Sequence, residues 1–393
     1  MSNDSVKKVR IGVIGIGNIG SVHANALYTG KVRNACLGAL CDISEKRRAE
    51  LAELYPDIPI FSSAEELLAS GSAEAVIIST PHYDHPTIAI KAFDSGLHVL
   101  SEKPMSVYCK AAREMIEAAD RSGKVFSVMF NQRNNKLFAK ARRIVKSGEL
   151  GELKRVVFII TNWYRKQAYY DSGEWRATWA GEGGGVLMNQ APHNLDLWQW
   201  ICGMPEEIYA ECDVAKYHNI EVEDDAAIFA RYKNGATAIF IATTGEFPGT
   251  NRMEISGSKG KIVIEGGKLI YSALPIDERE YVKYPEKEKI VPEITVIEDE
   301  KYNGHVLIIE NFADAILNGT PLVSDGREAI NELTLSNAAY LSAWTGEKIK
   351  LPMDDDLFLK MLEERAKTSQ KRQGIEKERM DSNEYNSRWN TNW

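Results

Sequence analysis

No stretch of 18 apolar residues occurs in this chain, and its opening residues, Met1-Ser2-Asn3-Asp4-Ser5-Val6-Lys7-Lys8, hold no apolar signal region. The expectation is a protein of the reducing cytoplasm with no membrane partner. Cysteine is scarce. Cys36, Cys41, Cys109, Cys202 and Cys212 form an odd set of five without a C-x-x-C pair, which argues against a disulfide framework and against a zinc ribbon. Positive charge is short as well. A net charge of −8 leaves no chain-wide basic field to attract nucleic acid or an anionic membrane. Internal repeats and low-complexity segments are missing too.

What is present has the composition of a soluble globular protein, 44% hydrophobic and 26% charged, and 393 residues suggest two domains or three small ones. Val9-Arg10-Ile11-Gly12-Val13-Ile14 is a short apolar run of the kind that forms a buried parallel strand. Gly15-Ile16-Gly17-Asn18-Ile19-Gly20 follows at once, and a helical stretch runs to about Tyr28. These glycines permit a tight turn and let a pyrophosphate approach the helix N-terminus. A second strand, Cys36 to Cys41, ends in Asp42, about 20 residues beyond the last glycine, where a dinucleotide site needs an acid. The carboxylate accepts ribose hydroxyls and repels a 2′-phosphate, so NAD is favoured over NADP. Lys46, Arg47 and Arg48 read as a solvated helix face after a Ser44 cap.

The alternation of strands and helices continues. Ser63-Ala64-Glu65-Glu66 is a capping box, and Ala75 to Ser79 is a buried strand followed by Thr80-Pro81-His82-Tyr83-Asp84-His85-Pro86. The carboxyl edge of an open α/β sheet is where ligands bind. His82 and His85 lack a third ligand, so no metal is expected; Pro86 in a first helical turn makes His85 the cap. The strand His98 to Ser101 runs into Glu102-Lys103-Pro104, which puts a lysine at the ligand edge, and a further strand, Val125 to Phe130, ends in Asn131. Six strand-like segments by Phe130 complete a doubly wound α/β domain, residues 1–130.

Beyond about residue 150 the pattern changes. Leu153–Asn162, Ile208–Tyr217, Ala226–Tyr232, Ala236–Thr244, Met253–Ser256 and Lys261–Glu265 read as strands with few helices between them, hence a largely antiparallel α+β domain over residues 131–352. Late helices are expected at Gly304 to Asn318 and Glu328 to Thr345. Residues 353–393 form a charged C-terminal extension ending in Trp389 and Trp393, either an arm on a partner subunit or a partly disordered tail. Within the second domain, Gly183-Gly184-Gly185 opens a helical pattern in which Asn189, His193, Asp196 and Trp200 share a face. Tyr164, Arg176 and Trp179 precede that run and can stack on sugar C–H surfaces or bind hydroxyls. Tyr302 and His305 are further candidates.

Together, Gly15-Ile16-Gly17-Asn18-Ile19-Gly20, Glu102-Lys103-Pro104 and Gly183-Gly184-Gly185 leading to His193-Asn194-Leu195-Asp196 resemble the Gfo/Idh/MocA family of NAD(P)-dependent oxidoreductases, over about Lys8 to Pro352. The resemblance implies a Rossmann domain, a mixed open-sheet domain, and homo-oligomers (dimers or tetramers) built through the sheet faces. It implies hydride transfer between nicotinamide and a ring hydroxyl of a sugar, glycoside or cyclitol, with C3 of a glucoside as the leaning. Lys103 and His193 match the family's catalytic lysine and histidine. Gly15, Gly17, Asn18, Ile19, Asp42, Thr80, Pro81, His85, Glu102, Lys103 and Asn131 stand at cofactor positions, and Asn189 joins His193 at the substrate. Asn189 departs from the family's commoner aspartate and carries no charge to raise the His193 pKa, so either Asp196 takes that role or Lys103 carries more of the proton transfer. Two alternatives accompany this reading: permanently bound NAD supporting elimination or epimerisation, with Asp196, His305 or Tyr302 as second proton carrier, and a non-catalytic nucleotide-binding regulator.

Overall fold

Val9–Ile14 is buried except at Arg10, because its apolar residues face helices on both sides of a parallel sheet. In the computed structural model, which describes residues 7–300 and 302–370, it is β1 of six parallel strands, with β2 Ala35–Cys41, β3 Ile60–Phe61, β4 Ala75–Ile78, β5 His98–Ser101 and β6 Phe126–Val128. Their order, β3-β2-β1-β4-β5-β6, reverses direction between β1 and β4. The loops after these two strands therefore lie at the switch point where doubly wound sheets bind ligands. The helices Asn18–Tyr28, Glu45–Leu54, Ala64–Ala69, Asp84–Asp94 and Cys109–Ser122 connect the strands.

The first compact unit extends to Asn134, close to the boundary expected at residue 130, and also takes in Asn303–Leu333 from beyond the second sheet. Ile308, Ile309, Phe312 and Ala313 of the helix Gly304–Asn318 bury themselves in one core with Ile11, Val13, Leu37 and Leu40 of the parallel sheet. A bidentate pair of Arg33 with Glu310, at 2.8 and 2.7 Å, ties the same helix to the end of the β1–β2 connection. An amphipathic pattern announces a helix; it does not say which sheet the helix will cover.

The second unit contains Asn135–Tyr302 and the described residues from Thr334 onward. Its nine-stranded sheet comprises β7 Leu153–Ile160, β8 Glu207–Val214, β9 Glu223–Arg231, β10 Thr237–Thr243, β11 Asn251–Gly257, β12 Gly260–Glu265, β13 Lys268–Ala273, β14 Glu293–Glu298 and β15 Ile349–Lys350. The order is β14-β13-β12-β11-β7-β10-β9-β8-β15, with β7 and β10 parallel and every other pair antiparallel. Ile228, Phe240, Phe158, Met253, Ile264 and Leu269 form a buried row across one face. On the opposite face Tyr209, Phe229, Ile239 and Ile270 are more than a third exposed. The extension is shorter than residues 353–393: Asp355–Thr368 is a helix of this unit, with Phe358 stacked on Trp344 at 5.3 Å. Trp389 and Trp393 lie outside the described residues.

Candidate active site

At the end of β1 the chain must turn sharply. Gly15 has φ +85°, and a Cβ there would stand 2.9 Å from the Ser79 carbonyl; a Cβ on Gly17 would meet nothing within 4 Å. The turn is packed on one side and open on the other, as a backbone that receives a pyrophosphate requires. Gly17 caps the helix Asn18–Tyr28 without a side-chain bond, leaving first-turn N–H groups for an anion. Asp42 is held at the end of β2 by the N–H groups of Ile16 and Ser44, both at 2.9 Å. Thr80 Oγ1 and Asn131 Oδ1 are buried without a hydrogen-bond partner, which is costly unless a ligand or water supplies one. These residues fit a dinucleotide.

Two sequence expectations change here. Arg47 is not on a solvated face: its Nε donates to Ile16 O at 3.0 Å and its Nη2 to Ser21 Oγ at 2.7 Å, since the Ser44 cap brings it against the glycine loop. His85 is not the cap of its helix, which Tyr83 precedes. The His85 ring is turned inward, its Nδ1 2.8 Å from Pro104 O and its Nε2 2.9 Å from Thr80 O. The ring braces the loops after β4 and β5 against each other, and burial lowers its pKa. Pro81 is exposed.

Glu102, buried beside half-buried Lys103, lies 2.7 Å from His23 Nε2. Burial pushes its pKa up, but the bond and charge of His23, together with His305 and Lys103, outweigh this and hold the carboxyl below its usual range. Burial and the neighbouring His23 bring the His305 pKa down to about 4. His305 therefore belongs to the His23–Glu102 cluster. Tyr302 bonds Asn135, and burial raises its pKa.

In the second unit the glycine run is pressed against two residues that the sequence pattern did not single out. A Cβ on Gly184 would land on the Tyr340 hydroxyl and one on Gly185 on the Glu223 carbonyl. The Glu223 carboxylate accepts the N–H groups of Gly185 and Leu187, each at 2.9 Å, and the Tyr340 hydroxyl at 2.7 Å. The expected single helix is broken into Val186–Asn189 and Pro192–Cys202, since Pro192 has no N–H to continue it. Trp198 fixes the second piece to the sheet, stacked on Phe240 at 5.7 Å with its indole N–H donating to Tyr232 at 2.8 Å. His193 is 2% exposed on this helix. Asp196 accepts from Gln199 at 2.9 Å, and Trp200 lies under Arg142 at 4.7 Å.

That network centres on Tyr169, whose hydroxyl receives Arg176 Nη1 at 3.0 Å, Gln190 Nε2 at 3.2 Å and Asn189 Nδ2 at 3.3 Å. Asn189 also donates to Glu182, a buried carboxylate that accepts the Ala177 N–H at 2.6 Å. Glu182 thus brings next to Asn189 the negative charge that Asn189 lacks. Of Tyr164, Arg176 and Trp179, Arg176 is in the network. Tyr164 is 43% exposed against Phe247, and Trp179 is buried edge-on to Tyr340 and Trp344. Tyr169, Glu182 and Gln190 carried no signal stronger than adjacency to the glycine run.

Residues 9–130 match the oxidoreductase family with an NAD-binding Rossmann fold, and residues 138–263 match the GFO/IDH/MocA C-terminal domain. The chain belongs to the Gfo/Idh/MocA family. As a family member it is an oxidoreductase with an NAD-binding Rossmann domain and a mixed, mostly antiparallel second sheet. It is 28% identical to myo-inositol 2-dehydrogenase of Thermotoga maritima over 65% of this chain and 74% of that one. With the scyllo-inositol 2-dehydrogenase (NAD(+)) of Bacillus subtilis it shares 26% over 88% and 96%. The WlbA dehydrogenase of Bordetella pertussis, solved with NADH and UDP-GlcNAcA, superposes with a TM-score of 0.75 at 29% identity, over 88% of this chain and all of that one. Among the described residues no helix is long and apolar enough to cross a membrane.

Proposed function

We propose that this Gfo/Idh/MocA protein is an NAD-dependent dehydrogenase acting on a secondary ring hydroxyl of a sugar, glycoside or cyclitol, C3 of a glucopyranose among the candidates. The observation that carries the reading is the way Glu223 and Tyr340 fix the glycine run, so that His193 and the Asn189–Tyr169–Arg176 network stand on supported backbone. The inositol dehydrogenases among its relatives, and a neighbour solved with UDP-GlcNAcA, support a polyhydroxylated ring as substrate. The bound dinucleotide supplies a hydride acceptor, which the protein's own side chains do not provide.

The chain's residues bind and orient that group and manage the proton. Gly15, Gly17, Asn18 and Ile19 receive the pyrophosphate, Asp42 the adenosine ribose, and Thr80 and Asn131 offer their buried polar atoms. Arg47 and Arg48 are committed to backbone carbonyls and to Glu50, which together with the Asp42 carboxylate favours NAD over NADP. His193 takes the hydroxyl proton, and Lys103 is assigned to stabilising the developing alkoxide. We read the exposed row of Tyr209, Phe229 and Ile239 as the face through which copies associate.

His193→Ala and Lys103→Ala test the assignment. Each should lower kcat by roughly 10²- to 10⁴-fold, the usual contribution of a positioned acid or base, with NAD binding followed by fluorescence unchanged in His193→Ala. Undiminished turnover in either folded variant removes that residue from the mechanism.

A further inference from the structure

His23 is an imidazole on a helix face otherwise given to small and apolar residues. It is 0% exposed on the helix Asn18–Tyr28, whose other buried residues are Gly20, Ala24, Ala26 and Leu27. A polar ring sealed from water is costly unless its hydrogen bonds are made. Its Nδ1 has no hydrogen-bond partner among the described residues, and its Nε2 stands 2.7 Å from Glu102 Oε1. The contact with Glu102 is what a polar side chain gains at this position.

Glu102 is 6% exposed, and its carboxyl is held below the usual range, so it is an anion at neutral pH. A carboxylate only accepts, and the proton between the two groups therefore sits on His23 Nε2. The other oxygen, Oε2, accepts the Lys103 backbone N–H at 3.2 Å. His305 packs 5.7 Å from the His23 ring, and its pKa of about 4 leaves it neutral at that pH. His23 and Lys103 are then the groups that hold the anion, and all four residues belong to the first compact unit. The loop backbone has its own supports. The Glu102 N–H donates to Ile78 O at 2.8 Å, Ser101 Oγ donates to Glu102 O at 3.0 Å, and Pro104 O faces His85 Nδ1 at 2.8 Å. What His23 adds is a donor for Oε1. Without it a buried anion loses a charge-assisted bond, and the Lys103 ammonium, already attracted to it, is the charge left to replace that bond.

We infer that His23 is a positioning residue for Lys103: by occupying Glu102 Oε1, it keeps the carboxylate from drawing the lysine ammonium away from the substrate oxygen. The inference rests on the dehydrogenase reading for the presence of a substrate oxygen at Lys103, and on the Glu102 contacts for everything else. His23 touches neither substrate nor reacting atoms; it acts through Glu102.

The test follows Lys103 directly, on the full chain with saturating NAD. Acetylation by limiting acetic anhydride, read on the Lys103 peptide by mass spectrometry across the range where a lysine titrates, needs no turnover. In His23→Leu the labelling rate at a given pH should fall roughly 10-fold, the scale of one charge-assisted hydrogen bond. The pH midpoint of labelling should rise, because the carboxylate now favours the ammonium, and kcat should fall with it. His23→Leu combined with Glu102→Gln removes the competing charge and should restore labelling, which a mere loss of helix packing would not permit. His23→Gln keeps an N–H at the reach of Nε2 and should label like wild type, whereas the shorter amide of His23→Asn should label like His23→Leu. Unchanged labelling in folded His23→Leu overturns the inference, as does a loss that the double variant leaves in place. If His23→Leu does not fold, equal labelling of the Asn and Gln variants overturns it instead. A wild-type chain that forms no NADH with any ring substrate would discard the dehydrogenase reading and leave the labelling contrast standing. NADH formation without that contrast would do the reverse.

Discussion

Glu223 is 1% exposed and keeps a carboxyl group in a place that disfavours charge. Burial raises its pKa to about 7, against the opposing pull of the Tyr340 hydroxyl and the N–H groups of Leu187 and Gly185. An acid whose folded pKa lies above its unfolded value binds more protons folded than unfolded between the two. Its contribution to stability is therefore complete below about 4.5 and is lost as pH rises through about 7. The loss amounts to up to about 3 kcal/mol for a shift of this size. In Glu223→Gln the difference from wild type, measured as urea midpoints from pH 4.5 to 8, should carry that slope with opposite sign. Parallel curves for the two proteins would show that Glu223 does not titrate in this range. Little of this was legible in the chain. The Lys103 and His193 positions stand out because glycine and proline frame them, whereas Glu223, Tyr340 and Glu182 act from distant places in the sequence, and only the folded structure makes them neighbours.

At the level of elements, the two glycine-rich stretches do different work. Gly17 faces open space, whereas Gly185 is pressed against the start of β9. Gly185→Ala forces the helix Val186–Asn189 away from Glu223 and should cost about 3 kcal/mol, as overpacking does in a closed interior, with activity falling alongside. Gly17→Ala should leave the melting temperature unchanged and weaken NAD binding. If the two variants melt alike, the contrast is wrong. The strand pattern of the parallel sheet was legible because buried strands are continuous apolar runs bounded by turns. β13 and β14 were missed for different reasons. The two-residue turn Gly266-Gly267, with φ of +57° and +72°, was a visible hairpin signal between β12 and β13. β14 is exposed at nearly every residue, so no alternation marks it. The break in the site helix follows from Pro192, which the helical spacing of the flanking residues masks.

For the whole chain, the motifs identify the family, and comparison of both domains agrees with them. The sequence order misleads about the boundary, because the Gly304–Asn318 helix follows the second sheet in the chain and belongs to the core of the first. Charge misleads in a similar way. A chain of net charge −8 still holds two arginines against the Tyr169 ring, since local fields depend on which side chains the fold gathers. The cofactor reading depends on Asp42 and on the committed Arg47, and the substrate reading on the network around Tyr169.

The most direct measurement is absorbance at the reduced-nicotinamide band, with NAD and NADP supplied separately, across inositols, aldoses, glucosides and their acidic counterparts. The account expects NADH to accumulate with at least one ring substrate, and faster than NADPH. A protein that binds NAD tightly yet reduces none with any member of the panel would contradict it.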